Sequence, residues 1–465
     1  MPVPEAPVID LSTPRRLHVV GIGGAGMSAI ASVLAAMGHR VSGSDLKASP
    51  GLERLRALGV SVAVGHAADQ VGDVDAVTMS TAVPARNPEV AAAVERGIPV
   101  LRRAQVLAAI VATRRTVAVA GTHGKTTTSS MLALALVAAG MRPSFLIGGE
   151  LNEIGTGAAW AEGEWLVVEA DESDGTFLEL APEAALVTSV EPDHLDHYGG
   201  RVEELAAAFA RFLAGAPGPR VVCADDPGAA RIGAEAGATT YGTAAGADYA
   251  MADVALERNA ARFTVVKGGD TLGRVELPVP GLHNARNACG ALAVADLLGA
   301  PFPAAAAGLA RYGGVARRYQ FRGTRAGVSF VDDYAHLPGE VRAALATART
   351  GGWSRVVCVF QPHRFSRTAD LADDFAGAFA DADEVVVTDV YPAGEAPRPG
   401  VTGRLVADAV RRDRAPGTVH YVADRRDWAP AVAALLRPGD LCLVLGAGDV
   451  TLLAGELLEP GGPLR

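Results

Sequence analysis

Along most of the chain, short β-branched runs alternate with longer stretches rich in Ala and Leu. Apolar runs bounded by Gly, Pro or Asp read as buried strands, and the Ala/Leu stretches as helices packed over them. The pattern predicts strands at Leu17–Gly21, Arg40–Gly43, Ser61–Val64, Ala76–Ser80 and Val100–Leu101, with a helix from the first glycine run to Met37. A second series opens near Arg114, carries a helix at Thr127–Ala139, and continues through Trp165–Ala170 and Ala185–Val190. A third has strands at Ser329–Val331, Arg355–Phe360, Glu384–Thr388, His420–Val422 and Leu441–Leu445. Alternation of this kind makes largely parallel sheets covered by helices, an α/β fold. Breaks near 113 and 315 divide it into three domains, 1–113, 114–315 and 316–465.

Composition narrows the picture. The 465 residues carry a formal net charge of −10, with a pI near 5.5. That balance argues against a nucleic-acid surface and for small anions held in local basic pockets. Cys223, Cys289, Cys358 and Cys442 are widely spaced and read as buried free thiols in a reducing cytoplasm. The N-terminus M-P-V-P-E-A-P-V-I-D lacks a signal-peptide pattern, and no apolar run is long enough to span a bilayer. The expectation is a soluble cytoplasmic protein.

The most specific chemistry lies at Val117–Thr128, V-A-V-A-G-T-H-G-K-T-T-T. A strand enters a glycine-bracketed turn, Gly121-Thr122-His123-Gly124, that ends in Lys125-Thr126-Thr127 and a helix. Backbone N–H groups and the helix N-terminus make such a turn a phosphate cradle. Lys125 supplies a point charge for the β/γ-phosphates and Thr126 a hydroxyl for Mg²⁺. The loop is shorter than the common phosphate-loop pattern, because Val119 stands where its first Gly belongs. The chain has only three lysines, Lys47, Lys125 and Lys267, and otherwise uses arginine, so a lysine kept here is the more telling. An ordinary βα turn accounts for the glycines and leaves the Lys unexplained. A nucleoside triphosphate is expected.

Other polar groups gather at predicted strand ends, where open parallel sheets bind ligands. Glu169 and Asp171 end one strand of the second series, and Glu191-Pro192-Asp193-His194 another. Oxygen ligands from Thr126 and Glu169 suit Mg²⁺, and His194 is a candidate for a second metal. Gly21-Ile22-Gly23-Gly24-Ala25-Gly26 fits G-x-G-x-x-G, with Asp45 where a ribose-binding acid would sit. That turn suits a dinucleotide, the diphosphate of a UDP-sugar, or helix–strand packing alone. In G-L-H-N-A-R-N, Asn284 and Asn287 are i,i+3 neighbours whose amides suit a base edge, or a helix cap. The third series offers Arg317-Arg318, Asp332-Asp333-Tyr334-Ala335-His336 and Gln361-Pro362-His363-Arg364-Phe365-Ser366-Arg367, whose guanidinium forks suit phosphate and carboxylate.

Taken together, G-I-G-G-A-G-M-S, S-G-S-D, A-G-T-H-G-K-T-T-T, E-A-D-E-S-D, E-P-D-H-L-D-H-Y, G-x-H-N-x-x-N, R-R-Y-Q, D-D-Y-A-H, F-Q-P-H-R-F-S-R-T, D-V-Y-P-A-G-E and G-A-G-D resemble the Mur ligase family. They run in order over almost the whole chain. The resemblance implies a Rossmann-like first domain that binds a UDP-sugar, a central phosphate-loop ATPase domain and a Rossmann-like C-terminal domain. The implied reaction joins L-alanine to the lactyl carboxylate of UDP-N-acetylmuramate through an acyl phosphate, in cytoplasmic peptidoglycan precursor synthesis, with ATP and Mg²⁺. By the same resemblance, Gly121–Thr127 hold ATP, Lys125, Glu169, His194 and His336 serve catalysis, and Thr126, Glu169 and His194 meet Mg²⁺. Asn284 and Asn287 lie at the adenine, and Arg318 and Asp333 at the nucleotide phosphates. Gly23, Gly24, Asp45, His66 and Ser80 contact the UDP-sugar; His363, Arg364 and Arg367 face the carboxylate and the incoming amino acid. One departure is Leu337, where the family usually has a second His after His336; Leu is expected to pack.

Overall fold

The computed structural model describes residues 9–80, 83–151 and 154–464, so the first eight residues, read above as free of a signal sequence, lie outside it. Three sheets carry the architecture. The first contains β1 (Arg16–Val20), β2 (Arg40–Asp45), β3 (Ser61–Val64), β4 (Ala76–Met79) and β5 (Val100–Arg102). Its order is β3-β2-β1-β4-β5, parallel throughout. Strand order reverses beside β1, and the glycine turn leaves β1 at that point, the usual crevice for a ligand. Gly21 and Ile22 donate to the Ser44 carbonyl at 2.9 and 3.0 Å, which ties the turn to β2.

The second sheet contains β6 (Arg115–Ala120), β7 (Ser144–Leu151), β8 (Thr156–Ala159), β9 (Trp165–Glu169), β10 (Ala184–Val187), β11 (Arg220–Cys223), β12 (Thr239–Gly242), β13 (Tyr249–Leu256), β14 (Ala261–Lys267) and β15 (Asp270–Leu277). Its order is β15-β14-β13-β12-β11-β10-β6-β9-β7-β8. β6 is sandwiched in parallel between β10 and β9, and is buried from Thr116 onward. β7 and β8 form an antiparallel pair. The third sheet contains β16 (Gln320–Arg325), β17 (Val328–Asp333), β18 (Val356–Phe360), β19 (Glu384–Thr388), β20 (Val419–Val422) and β21 (Leu441–Leu445), in the order β16-β17-β21-β18-β19-β20. Its strands are parallel except the edge strand β16.

The α/β class and three sheets agree with the sequence. By compactness, however, residues 1–254, 263–276 and 286–312 form one unit, and 255–262, 277–285 and 313–465 another. The first two sheets share a unit because one apolar cluster continues from Leu34 and Ile110 to Val168 and Phe209. The predicted strands are present with ends shifted by a few residues. β7, β8, β11 to β15 and β16 were not anticipated. The phosphate-loop helix spans Lys125–Ala138, two residues earlier than the pattern predicts, so Lys125 and Thr126 form its first turn.

Phe209 is fully buried and meets Phe177 edge-on at 5.3 Å, while Phe212 meets the same ring at 5.1 Å. Truncating such a side chain removes apolar burial and leaves a cavity. Phe209→Ala is expected to lower unfolding free energy by about 3–5 kcal/mol, read by urea denaturation.

Candidate active site

β6 delivers the phosphate loop, and the loop is knitted to the segment after β10. Thr122 N donates to the Ser189 carbonyl at 3.0 Å, and His123 N to Ser189 Oγ at 3.0 Å. Thr122 Oγ1 accepts from Glu191 N at 2.9 Å, and the Thr188 hydroxyl donates to the His123 carbonyl. Gly121 and Gly124 have φ of +139° and +80°, in the region that favours glycine. A Cβ on Gly121 would also strike the Thr188 hydroxyl, and one on Gly124 would lie 2.8 Å from Asn287 Oδ1. The first intrahelical bond runs from Thr128 N to the Gly124 carbonyl, so the preceding N–H groups are those a helix start presents to an anion.

Lys125 folds back over this loop. Its ammonium donates to the Gly121 carbonyl at 2.7 Å and to Glu172 Oε1 at 2.9 Å, with Oε2 at 2.8 Å. Burial opposes its charge, but Glu172, Asp171 and Glu169 outweigh that and raise its pKa. Glu172, only 2 % exposed, is pushed up by the same burial, against the pull of Lys125. Burial also works against the Asp171 charge, yet Lys125, the Ser173 N–H and Arg103 hold it below the ordinary range. Thr126 Oγ1 donates to Glu169 Oε1 at 3.0 Å, and Glu169 Oε2 accepts from Gly148 N at 2.7 Å. His194 has a left-handed φ of 53° and pairs with Asp193 at 3.1 Å. Among the described residues, no group of three or more His, Cys, Asp or Glu is placed to hold a metal by itself.

At the first sheet, Asp45 Oδ2 accepts from Gly23 N at 2.8 Å and so braces the glycine turn. Ser80 N donates to the Val20 carbonyl at 3.1 Å, beside Gly21. His66 turns Nδ1 inward, to Ser44 Oγ at 2.8 Å and Glu89 Oε2 at 3.2 Å. Glu89 is wholly buried; burial works against its charge, but His18, Ser44 and His66 keep its pKa below the usual value.

In the second unit, Arg317 and Arg318 take different places. Arg317 donates to the Gly446 and Gly448 carbonyls at 2.7 and 3.2 Å, bracing that turn. Arg318 lies 5.1 Å from the Tyr334 ring centre and lowers the neighbouring Asp333. Burial nevertheless pushes Asp333 up to about 6, while its oxygens accept from Tyr319 N at 2.6 Å and Ala335 N at 2.7 Å. His336 Nδ1 faces the Tyr334 carbonyl at 3.0 Å and Glu340 Oε2 at 3.2 Å. The His336 ring meets His363 edge-on at 5.5 Å, and His363 stacks on Tyr391 at 5.7 Å. Arg367 Nη1 donates to His363 Nδ1 at 3.2 Å. Burial, with His336, Arg367 and Arg364 nearby, drives His363 down to about 3. The ring is therefore neutral near pH 7.

Comparison with known proteins gives this arrangement its family. Three family models match in chain order: "Mur ligase family, catalytic domain" over residues 16–115, "Mur ligase middle domain" over 119–295 and "Mur ligase, glutamate ligase domain" over 317–448. The chain belongs to the Mur ligase family. Among Mur ligases it is 50 % identical over 458 residues to the UDP-N-acetylmuramate–L-alanine ligase of Saccharopolyspora erythraea, covering 96 % of this chain and 93 % of that one. The enzyme of the same name from Kineococcus radiotolerans is 51 % identical, with 96 % of each chain covered. The crystal structure of UDP-N-acetylmuramate–alanine ligase from Thermotoga maritima superposes with a TM-score of 0.79 at 29 % identity, covering 96 % of this chain and 98 % of that one.

Of the residues the Mur ligase motifs singled out, Lys125, Thr126, Glu169 and Asn287 converge on the phosphate loop. His336, His363 and Arg367 form one aromatic–guanidinium cluster, and Leu337 beside them is buried, 5 % exposed. Asn284 instead donates its amide to the Pro280 carbonyl at 2.7 Å, a local bond of the kind a helix start uses. Local spacing does not single out Glu172, which lies within E-A-D-E-S-D, nor Glu89 and Arg103. Burial and long-range pairing single these out, and neither is written in local spacing.

His363 titrates near 6.5 when unfolded and near 3 when folded, so the unfolded chain binds the proton first on acidification. Stability from this group is present above about pH 6.5 and is lost as pH falls toward 3. Between pH 7.5 and 5 the wild type is expected to lose up to about 2 kcal/mol more unfolding free energy than His363→Gln. Denaturant unfolding of both proteins at the two pH values checks this.

Proposed function

We propose that this chain joins L-alanine to the lactyl carboxylate of UDP-N-acetylmuramate, with ATP as the phosphoryl donor, in cytoplasmic peptidoglycan precursor synthesis. The observation that carries the reading is the convergence of Lys125, Thr126 and Glu169 at adjacent strand ends. It is joined by likeness, over nearly the full length, to relatives that bear that enzyme's name. Domain limits near 113 and 315 separate a sugar-nucleotide domain, an ATP domain and a domain that meets the amino acid. No helix among the described residues is long and apolar enough to cross a membrane.

A carboxylate is a poor acyl donor because its leaving group would be oxide. Attack of a lactyl oxygen on the γ-phosphorus forms an O–P bond, breaks the β,γ bridge and releases ADP. The alanine amine then adds to the acyl carbon, and the tetrahedral intermediate expels phosphate. Lys125, once it leaves Glu172, balances charge on the transferring group, where positioning and electrostatics carry most of the catalysis. Thr126 and Glu169, hard oxygen donors already sharing a 3.0 Å bond, fit Mg²⁺, with His194 as a further candidate; Mg²⁺ there would neutralise the phosphate oxygens. Arg318 and Asp333 are assigned to the nucleotide, as are Asn287 and, through its neighbourhood, Asn284. Arg364, Arg367 and His363 are assigned to the carboxylates. His336 has two acceptors at Nδ1, so its neutral ring carries the proton there and keeps the Nε2 lone pair. That nitrogen is our choice to take a proton from the alanine ammonium.

Phosphate release from ATP and Mg²⁺ should require both UDP-N-acetylmuramate and L-alanine. Release only with the preformed L-Ala–γ-D-Glu–diaminopimelate tripeptide would move the chain to a recycling branch of the family. Lys125→Ala is expected to cut turnover roughly a hundredfold or more, since one such transition-state contact is worth about 3–4 kcal/mol. Near-wild-type turnover would remove Lys125 from its role.

A further inference from the structure

Arg103 is a cation without an assignment. It opens the helix Arg103–Val111, directly after β5. Its guanidinium lies on the bare Cα of Gly26, the last glycine of the turn after β1, where a Cβ would sit 2.8 Å from Nη1. On the other side, Nη2 makes only a long ion pair with Asp171 Oδ2, at 3.9 Å. Among the described residues it makes no hydrogen bond, and its side chain is 35 % exposed. It lines a cavity of about 150 Å³ together with Gly26, Gly148, Glu169, Asp171 and Phe177. The cavity therefore runs from the glycine turn to the carboxylate that holds Thr126.

A guanidinium in this position has its donors uncommitted and one carboxylate too far away to satisfy them. The planar fork matches two oxygens of a phosphate, which a lysine ammonium does not. The sugar nucleotide brings two anionic groups to this region, a diphosphate and a lactyl carboxylate. The contact with Gly26 puts Arg103 at the turn, whose N–H groups and helix start suit the diphosphate. Glu169 and Asp171 line the same cavity and would repel a carboxylate, whose partners are assigned above to Arg364, Arg367 and His363. We infer that Arg103 is a binding residue for the diphosphate of the sugar nucleotide, clamping it against the Gly21–Gly26 turn. This rests on the sugar-nucleotide reading given above.

UDP carries the diphosphate without the sugar or the lactyl group, and uridine carries neither, so the two separate the contacts. Calorimetric titration of the full-length protein should show UDP affinity falling roughly 10- to 100-fold in Arg103→Ala, the loss expected for charge-assisted hydrogen bonds. Arg103→Lys should restore part of it. Uridine and ATP affinity should stay unchanged in both variants, which also shows that they are folded. Equal UDP affinity in wild type and Arg103→Ala would overturn the inference. So would a raised KM for UDP-N-acetylmuramate alongside unchanged UDP binding, which would move Arg103 to the carboxylate. Alanine-dependent phosphate release by the wild type is scored separately, so the function can stand while this assignment falls.

Discussion

The parallel pairing of β6 between β10 and β9 is the constraint on which the site depends. Register sets Val119 opposite Glu169 and Ala120 opposite Val187, so three strands end together at one sheet edge. Polar side chains at those ends reach one another although far apart in sequence. Glu169 meets Thr126, Glu172 meets Lys125, and the segment after β10 sews the loop in place. A slip of one residue would turn alternate side chains to the other face and disperse the set.

Within that frame, Lys125 does not wait as an exposed charge. Its ammonium, on a side chain 15 % exposed, is held by buried Glu172 and by the loop's own carbonyls, where an unpaired charge would be costly. On the function proposed above, nucleotide binding would exchange one anionic partner for another and would not have to bury a bare cation. The second unit handles charge differently: His363 is kept neutral and Asp333 is raised, while Arg317 is spent on a turn and Arg318 stays beside Asp333. Adjacent arginines of identical chemistry thus serve separate ends.

Sequence alone made the α/β class, the central strands and the phosphate loop legible, because buried parallel strands are continuous apolar runs. Glu384–Thr388 and Leu441–Leu445 were located to the residue for that reason. The outer half of the second sheet was not. β13 is Ala-rich, and Ala marks neither face, although β14 alternates buried and partly exposed positions as a period-two strand should. The motif residues were found, but their engagements were not. Asp45 binds Gly23 and His66 turns toward Glu89, partners 22 and 23 residues away that local spacing does not reveal, while Asn284 bonds the nearby Pro280 carbonyl, as polar groups near helix starts do. Glu172 and Arg103 emerged only when distant segments were brought together.

The central claim is that the lactyl carboxylate is phosphorylated before the amine attacks. The most direct measurement is to label both carboxylate oxygens of UDP-N-acetylmuramate with ¹⁸O, run the reaction with L-alanine, and weigh the released phosphate by mass spectrometry. The account predicts one ¹⁸O in each phosphate, because the oxygen that attacked phosphorus leaves with it when the acyl–oxygen bond breaks. Phosphate free of label, formed alongside the alanyl product, would contradict it.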